Sequence, residues 1–214
     1  MKQGKKVLYG SGNLAKKEAW QDSDLEKGEG CYITIKTSVA GRYFWVFEQA
    51  GRILAANFYS PADLINETNA IENAIRPYLN GAILMEKETK VLREARRQLE
   101  EYFAGARKEF CLPVAIRGTM FQLEDWQALC TIPYGETRSY GQLAAQIGRP
   151  KGSRAVGMAN HNNPISVIIP CHRVIGSGGT LVGYGGGLDV KQALLALEQG
   201  KVSRVHAGVK LHIG

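Results

Sequence analysis

Ile168-Ile169-Pro170-Cys171-His172-Arg173-Val174 is the stretch on which the reading of this chain turns. Ile165, Val167, Ile168 and Ile169 form a short, largely apolar run that predicts a strand. Pro170 ends its pairing, because proline has no N–H to donate. A thiol and an imidazole then stand side by side. A free thiol has a pKa of about 8.5 and is a poor nucleophile at neutral pH unless a base takes its proton. A histidine within hydrogen-bond reach is the usual base. Adjacent Cys and His also fit a buried thiol beside a packed histidine, so the neighbouring sequence has to decide.

Upstream of this stretch, Met120 to Cys130 predicts a helix with Phe121, Trp126 and Leu129 inward. Ile132-Pro133-Tyr134-Gly135 reads as a turn. Ser139-Tyr140-Gly141-Gln142 is a capping box that opens a short helix, which Gly148 stops. Arg149-Pro150-Lys151-Gly152 is a tight connection, and Ser153 is expected to cap a second helix, Arg154 to about His161. Two short helices so joined form a helix-turn-helix. Such pairs also pack enzyme cores, but the second helix has an unusual composition. Ser153, Gly157 and Ala159 are small enough to admit a phosphate backbone, and Lys151 and Arg154 bring positive charge to its start. Gly157 costs a helix interior about 1 kcal/mol relative to alanine, which suits a close backbone approach there. Downstream, Gly176 to Gly187 is a glycine-rich loop, and Val190 to Glu198 predicts an amphipathic helix ended by Gly200.

The first half of the chain is of another kind. Tyr32–Ile35, Tyr43–Phe47 and Ile53–Ala56 are strand candidates separated by Ala40-Gly41-Arg42 and Ala50-Gly51-Arg52, an antiparallel meander. Ser60-Pro61-Ala62-Asp63 has the form of a helix start, with an end near Pro77. A longer helix is expected from about Glu86 to Phe103, with Glu86 and Lys90 paired one turn apart and Leu92, Ala95, Leu99, Tyr102 and Phe103 on one face. Leu112 to Ala115 reads as a linker. The expected organisation is a flexible extension over 1–30, an α+β domain over 31–111, a helical domain over 118–200 and a tail over 201–214.

The chain has 214 residues and a formal net charge of +7, which suits an anionic partner such as DNA but also simply keeps a protein soluble. No apolar run reaches the roughly 18 residues of a membrane helix, and Met1-Lys2-Gln3-Gly4-Lys5-Lys6 has no apolar core behind it. No membrane association is expected, and the location should be cytoplasmic, or nuclear in a eukaryote. Cys31, Cys111, Cys130 and Cys171 show no CxxC spacing, so neither a structural disulfide nor a metal site is expected.

Pro170-Cys171-His172-Arg173-Val174, preceded by Asn163-Pro164 and followed by Gly183-Tyr184-Gly185-Gly186-Gly187-Leu188, resembles the O6-alkylguanine-DNA alkyltransferases from about Gly118 to Glu198. The resemblance implies a small N-terminal α+β domain with an antiparallel, ribonuclease H-like sheet, joined to a C-terminal winged helix-turn-helix domain. It implies that Cys171 irreversibly accepts the alkyl group of O6-alkylguanine, with O4-alkylthymine as a second candidate lesion, in double-stranded DNA, without a cofactor. His172 would take the thiol proton through a water, Glu198 would orient His172, and Asn163 would tie the recognition helix to the cysteine segment. Arg154 would fill the gap left by a flipped nucleotide, with Lys151, Ser153 and Gly157 beside it on the DNA. Tyr140 and Tyr184 would hold the base, and backbone groups near Val174 and Gly185 would bind the guanine edge. A monomer is expected, with or without cooperativity along DNA. Met120 stands where many relatives have proline, and Gly152 replaces a commoner alanine. A lesion-recognition protein of alkyltransferase-like type would lack Cys171. A cysteine hydrolase leaves the helix-turn-helix unexplained, and a transcription factor leaves Pro170 to Val174 unexplained.

Overall fold

The computed structural model of the chain describes residues 7–9, 28–60, 70–79 and 81–201. The meander is present as β2 (Glu29–Lys36), β3 (Tyr43–Gln49) and β4 (Arg52–Tyr59), paired antiparallel. Both reversals place an Ala-Gly pair at positive φ, Ala40-Gly41 and Ala50-Gly51. Positive φ at two successive turn residues matches the right-handed twist of the flanking strands.

The sheet is wider than the meander. Its order is β1-β6-β4-β3-β2-β5, where β1 is Val7–Tyr9, β5 is Ile83–Glu86 and β6 is Val114–Ile116. β5 lies parallel to β2, β6 parallel to β4, and β1 antiparallel to β6. Three expectations are corrected here. Leu112 to Ala115 is not a free linker, because its end enters β6 and the Ile53 N–H donates to the Pro113 carbonyl at 2.8 Å. The long helix starts at Lys90 rather than near Glu86, since Glu86 pairs with Tyr32 in the sheet and Thr89 caps the helix through the Leu92 N–H. The segment 1–30, expected as an extension, adds β1 and the start of β2 to the sheet. β1 is only three residues long, so no pattern in the sequence revealed it. The rest of that segment, the tail beyond residue 201, and residues 61–69 of the Ser60-Pro61 helix start lie outside the described residues; α1 (Ala70–Ile75) runs into a 3₁₀ turn at Pro77.

One sheet face packs Tyr32, Trp45, Phe47 and Leu54 around Ile75 of α1. The other packs Ile33, Ile35, Phe44 and Val46 against Leu92, Leu99, Tyr102 and Phe103 of α2 (Lys90–Phe103). That second core continues unbroken into the helical half through Trp126, Leu129, Val156, Cys171 and Leu194.

The helical half comprises α3 (Met120–Leu129), α4 (Tyr140–Gln146), α5 (Ser153–His161) and α6 (Leu188–Glu198), with a small parallel ladder of β7 (Arg138–Ser139) and β8 (Val174–Ile175). Capping boxes open α3 at Thr119/Gln122 and α4 at Ser139/Gln142, so Met120 in place of proline leaves α3 well started. Gly148 ends α4 at positive φ. Ser153 does not cap α5: it is the first helical residue, and Gly152 holds the cap position without a side-chain bond. A Cβ at 152 would lie 2.9 Å from the Arg149 carbonyl oxygen, which receives the Gly152 N–H at 2.7 Å, so glycine permits this tight approach. The predicted strand at Ile165–Ile169 is also corrected. It is a folded-back turn with Val167 at positive φ, bearing isolated bridges Ala56↔Ile165 and Ser166↔Ile169. The Ala56 N–H donates to the Pro164 carbonyl at 2.9 Å and the Ser166 N–H to the Ala56 carbonyl at 2.8 Å, which fixes the turn to β4. Ile165, Val167 and Ile169 are buried in the core and Ile168 is half-buried, so the apolar run mimicked a strand.

Candidate active site

Pro170 ends this turn, and Cys171–Arg173 form one turn of 3₁₀ helix. Cys171 is 7% exposed and His172 is fully buried. The Asn163 amide donates to the Ile169 carbonyl at 2.8 Å and to Cys171 Sγ at 3.2 Å, while its Oδ1 accepts from the Ile165 N–H at 3.1 Å. Asn163 follows the C-cap residue of α5, Asn162, so one side chain joins the end of α5 to the thiol.

Behind the thiol lies a buried polar network. His172 Nε2 lies 2.8 Å from Glu198 Oε1 at the end of α6. Arg173 donates to both carboxylate oxygens, through Nε to Oε2 and Nη2 to Oε1, each at 2.9 Å. Its Nη1 donates to the Ile132 carbonyl at 2.6 Å. The Gly135 N–H donates to Glu198 Oε2 at 3.1 Å. Gly135 has positive φ, and a Cβ there would sit 3.0 Å from the Glu198 carbonyl oxygen, so the Ile132–Gly135 turn requires glycine at this point. Tyr102, from α2, donates to Glu198 Oε1 at 2.6 Å and lies 3.4 Å from His172 Nε2.

The electrostatics follow from this burial. Desolvation alone would raise the Glu198 carboxyl, but the hydrogen bonds of His172 and Arg173 and the charge of Arg173 outweigh it and hold it well below the usual carboxylate range. Burial lowers the His172 imidazole despite the pull of Glu198, so the ring is neutral at neutral pH. With Glu198 ionised, Nε2 carries the proton and donates it, leaving Nδ1 as the basic nitrogen. Among the described residues Nδ1 has no hydrogen-bond partner. Burial pushes the Cys171 thiol up, opposed by the Asn163 hydrogen bond and the charge of Lys191. The resting pair is therefore a neutral thiol beside a neutral imidazole.

The remaining expected site residues lie on the outer side. Tyr140, at the start of α4, donates to the Val182 carbonyl at 3.1 Å. The buried ammonium of Lys191 donates to the same carbonyl at 2.8 Å and lies 5.8 Å from the Tyr140 ring centroid. Tyr184 packs its ring against the core, and Gly185 beside it is exposed. Val174 is fully buried and its N–H is used on the Cys171 carbonyl. On α5, Arg154 is exposed, as is Lys151 just before the helix, while Ser153 and Gly157 are half-buried. The sequence reading missed Tyr102, Arg173, Lys191 and the Gly135 N–H. Tyr102 sits at core spacing on an apolar helix face and gave no separate signal. Lys191 did give one, a lysine between Val190 and Leu194 on the inward face of α6.

Residues 31–116 match the ribonuclease-like domain of 6-O-methylguanine DNA methyltransferase, and residues 120–200 match its DNA binding domain. A methylated-DNA–protein-cysteine methyltransferase of Methanosarcina barkeri is 59% identical over 110 residues, which cover 51% of this chain and 70% of that protein. The Mycobacterium leprae protein of the same name is 56% identical over 115 residues, 54% of this chain and 70% of that one. The crystal structure of Mycobacterium tuberculosis OGT in complex with DNA superimposes with a TM-score of 0.65 at 40% identity, over 81% of this chain and 96% of that one. The O6-methylguanine-DNA methyltransferase of Pyrococcus kodakaraensis shares the fold, with a TM-score of 0.53 at 21% identity over 79% of this chain and 98% of that one. With both domain matches in sequence order and these relatives along it, the chain belongs to the 6-O-methylguanine DNA methyltransferase family.

Proposed function

We propose that this protein repairs DNA by direct reversal, moving the alkyl group of O6-alkylguanine in duplex DNA onto Cys171 once per molecule. The observation that carries this is the single amide of Asn163, which joins the end of the recognition helix to the Cys171 thiol. DNA held on α5 is thereby held over the nucleophile.

The thiol is buried, so an alkyl carbon inside the base stack is out of its reach. The nucleotide is rotated out of the duplex, with Arg154 replacing it in the stack and Lys151, Ser153 and Gly157 along the backbone. Tyr140 and Tyr184 hold the extruded base, with the carbonyl of Val174 and the backbone of Gly185 at its edge. Sγ then attacks the alkyl carbon as the carbon–O6 bond breaks. The thiol proton passes through a water to Nδ1 of His172, and Glu198 stabilises the imidazolium that forms, in the manner of a nucleophile–base–orienter triad. A proton returns to the departing guanine, so the base is restored to its keto form and charge balances. The product thioether has no activating neighbour, and the protein is spent. The division of labour we infer gives 118–200 the DNA and the chemistry, and 31–111 the support beneath it. The protein works as a monomer where the DNA is, in the cytoplasm or in a nucleus.

Titration of a known amount of protein with O6-methylguanine duplex tests this. Repair stopping at one equivalent, with Cys171→Ala binding DNA but repairing none, is the expected result. Continued turnover overturns it.

A further inference from the structure

Glu198 and His172 belong to the helical half, but one of their hydrogen bonds comes from outside it. Tyr102 lies near the end of α2, in the stretch that matches the ribonuclease-like domain, and is fully buried. Its ring packs against Phe103, Phe110 and Tyr134 at centroid distances of 5.6, 5.3 and 6.0 Å. A phenylalanine would fill that space equally well. The hydroxyl is what differs, and a buried hydroxyl is costly unless paired. It donates at 2.6 Å to Glu198 Oε1, the same oxygen that faces His172 Nε2. Since the phenol proton is committed to the carboxylate, the phenol oxygen facing Nε2 at 3.4 Å can only accept from it. Nε2–H is thus met by two acceptors, and a proton on Nδ1 instead would leave Nε2 confronting both.

We propose that Tyr102 is a positioning residue for alkyl transfer: its hydroxyl fixes His172 in the tautomer whose Nδ1 is free to take the Cys171 proton, so the ribonuclease-like half completes the reactive centre. This rests on the alkyl-transfer reading above. The phenol also withdraws charge from Glu198, which limits how strongly that carboxylate favours imidazolium. The other charged and titratable groups facing His172 are Arg173 from its own turn, Lys191 and Glu198 from α6, and Cys171 beside it. Tyr184 faces Tyr102 from the glycine-rich loop, and the Arg173 guanidinium lies 5.8 Å from the Tyr134 ring centroid.

The test is single-turnover transfer from methylated duplex DNA as a function of pH, on the full chain and on Tyr102→Phe, with DNA affinity and melting temperature measured alongside. Tyr102→Phe should slow transfer about tenfold at neutral pH, the effect of one well-placed hydrogen bond, with DNA affinity unchanged. Because Glu198 keeps its whole charge in this variant, the His172 pKa rises and the acid-side fall in rate moves to higher pH. A fluorinated tyrosine at position 102, a stronger donor of nearly the same size, should move that fall the opposite way. An unmoved pH profile in both variants overturns the proposal, whether or not the rate drops, since lost packing alone does not shift a titration. Failure of the unmodified protein to transfer at all would instead overturn the alkyl-transfer reading.

Discussion

Asp125 is the most exacting stability test that the structure offers. It lies on α3 with no solvent exposure, and among the described residues neither carboxylate oxygen has a hydrogen-bond partner. Burial pushes its pKa from the ordinary 3.8 up to about 7. The folded state therefore holds this proton more tightly than the unfolded chain does. Its contribution is harmless below about pH 4, where both states are protonated, and stability is lost as pH rises from there until the folded group also ionises near 7. At about 1.36 kcal/mol per unit of pKa, the full loss is about 4 kcal/mol, a large share of the roughly 5–15 kcal/mol that holds a domain folded. Asp125→Asn keeps the shape and removes the titration. Its amide still lacks partners, at a cost of about 1–3 kcal/mol, but equally at every pH, so the pH dependence isolates the charge. Urea unfolding from about pH 5 to about pH 9 should show the variant gaining on the parent by about 3 kcal/mol across that range. A constant gap would refute the reasoning and mean that Asp125 is paired or hydrated in solution. The charge also raises the Cys171 thiol, so the variant should lose none of its transfer rate above neutral pH.

Other outcomes follow from single positions. At Gly157, an added Cβ would meet only the Tyr140 ring at 3.8 and 3.9 Å, so Gly157→Ala should stabilise the fold by about 0.5–1 kcal/mol while weakening repair of duplex DNA; unchanged repair would show that the glycine does not face the backbone. Arg154→Ala should slow repair of duplex DNA far more than reaction with the free base O6-benzylguanine, since only the duplex needs a flipped state held open; equal losses would place Arg154 elsewhere. Fully methylated protein should melt at a lower temperature than unreacted protein, with hydrogen exchange rising first over residues 153–171, because a methyl group beside Asn163 and Sγ overpacks a tight site, typically by about 1–3 kcal/mol. Identical melts and protection would remove that coupling.

The helix-turn-helix was legible because its signals are local. A capping box, a stop glycine and a second helix of small residues are all read within a few positions, and the structure places α4 and α5 there. The meander was legible for the same reason, through its two Ala-Gly turns. What sequence missed depends on distant partners. β1, β5 and β6 are too short to show a period and exist because an edge was open to them. Ile165 to Ile169 shows the converse, an apolar run whose Ile165, Val167 and Ile169 are buried without forming a strand. At the site, the motif and the resemblance pointed to Cys171, His172, Asn163 and Glu198, which the structure arranges as two hydrogen-bonded groups, Asn163 with Cys171 and His172 with Glu198 and Arg173. Tyr102 was out of reach, because nothing in an apolar helix face says which buried tyrosine spends its hydroxyl on a carboxylate 96 residues away.

The central claim is that Cys171 receives the alkyl group. The four cysteines are all free, and Cys111 is exposed where Cys171 is buried, so simple accessibility and the proposed network give opposite answers. Reaction with methylated duplex DNA, followed by digestion and mass mapping of each cysteine peptide, decides between them. One methyl group on Cys171 of every reacted molecule, and none on Cys31, Cys111 or Cys130, is the result predicted. Methyl on an exposed cysteine, or guanine restored with no methyl on the protein, would contradict the account.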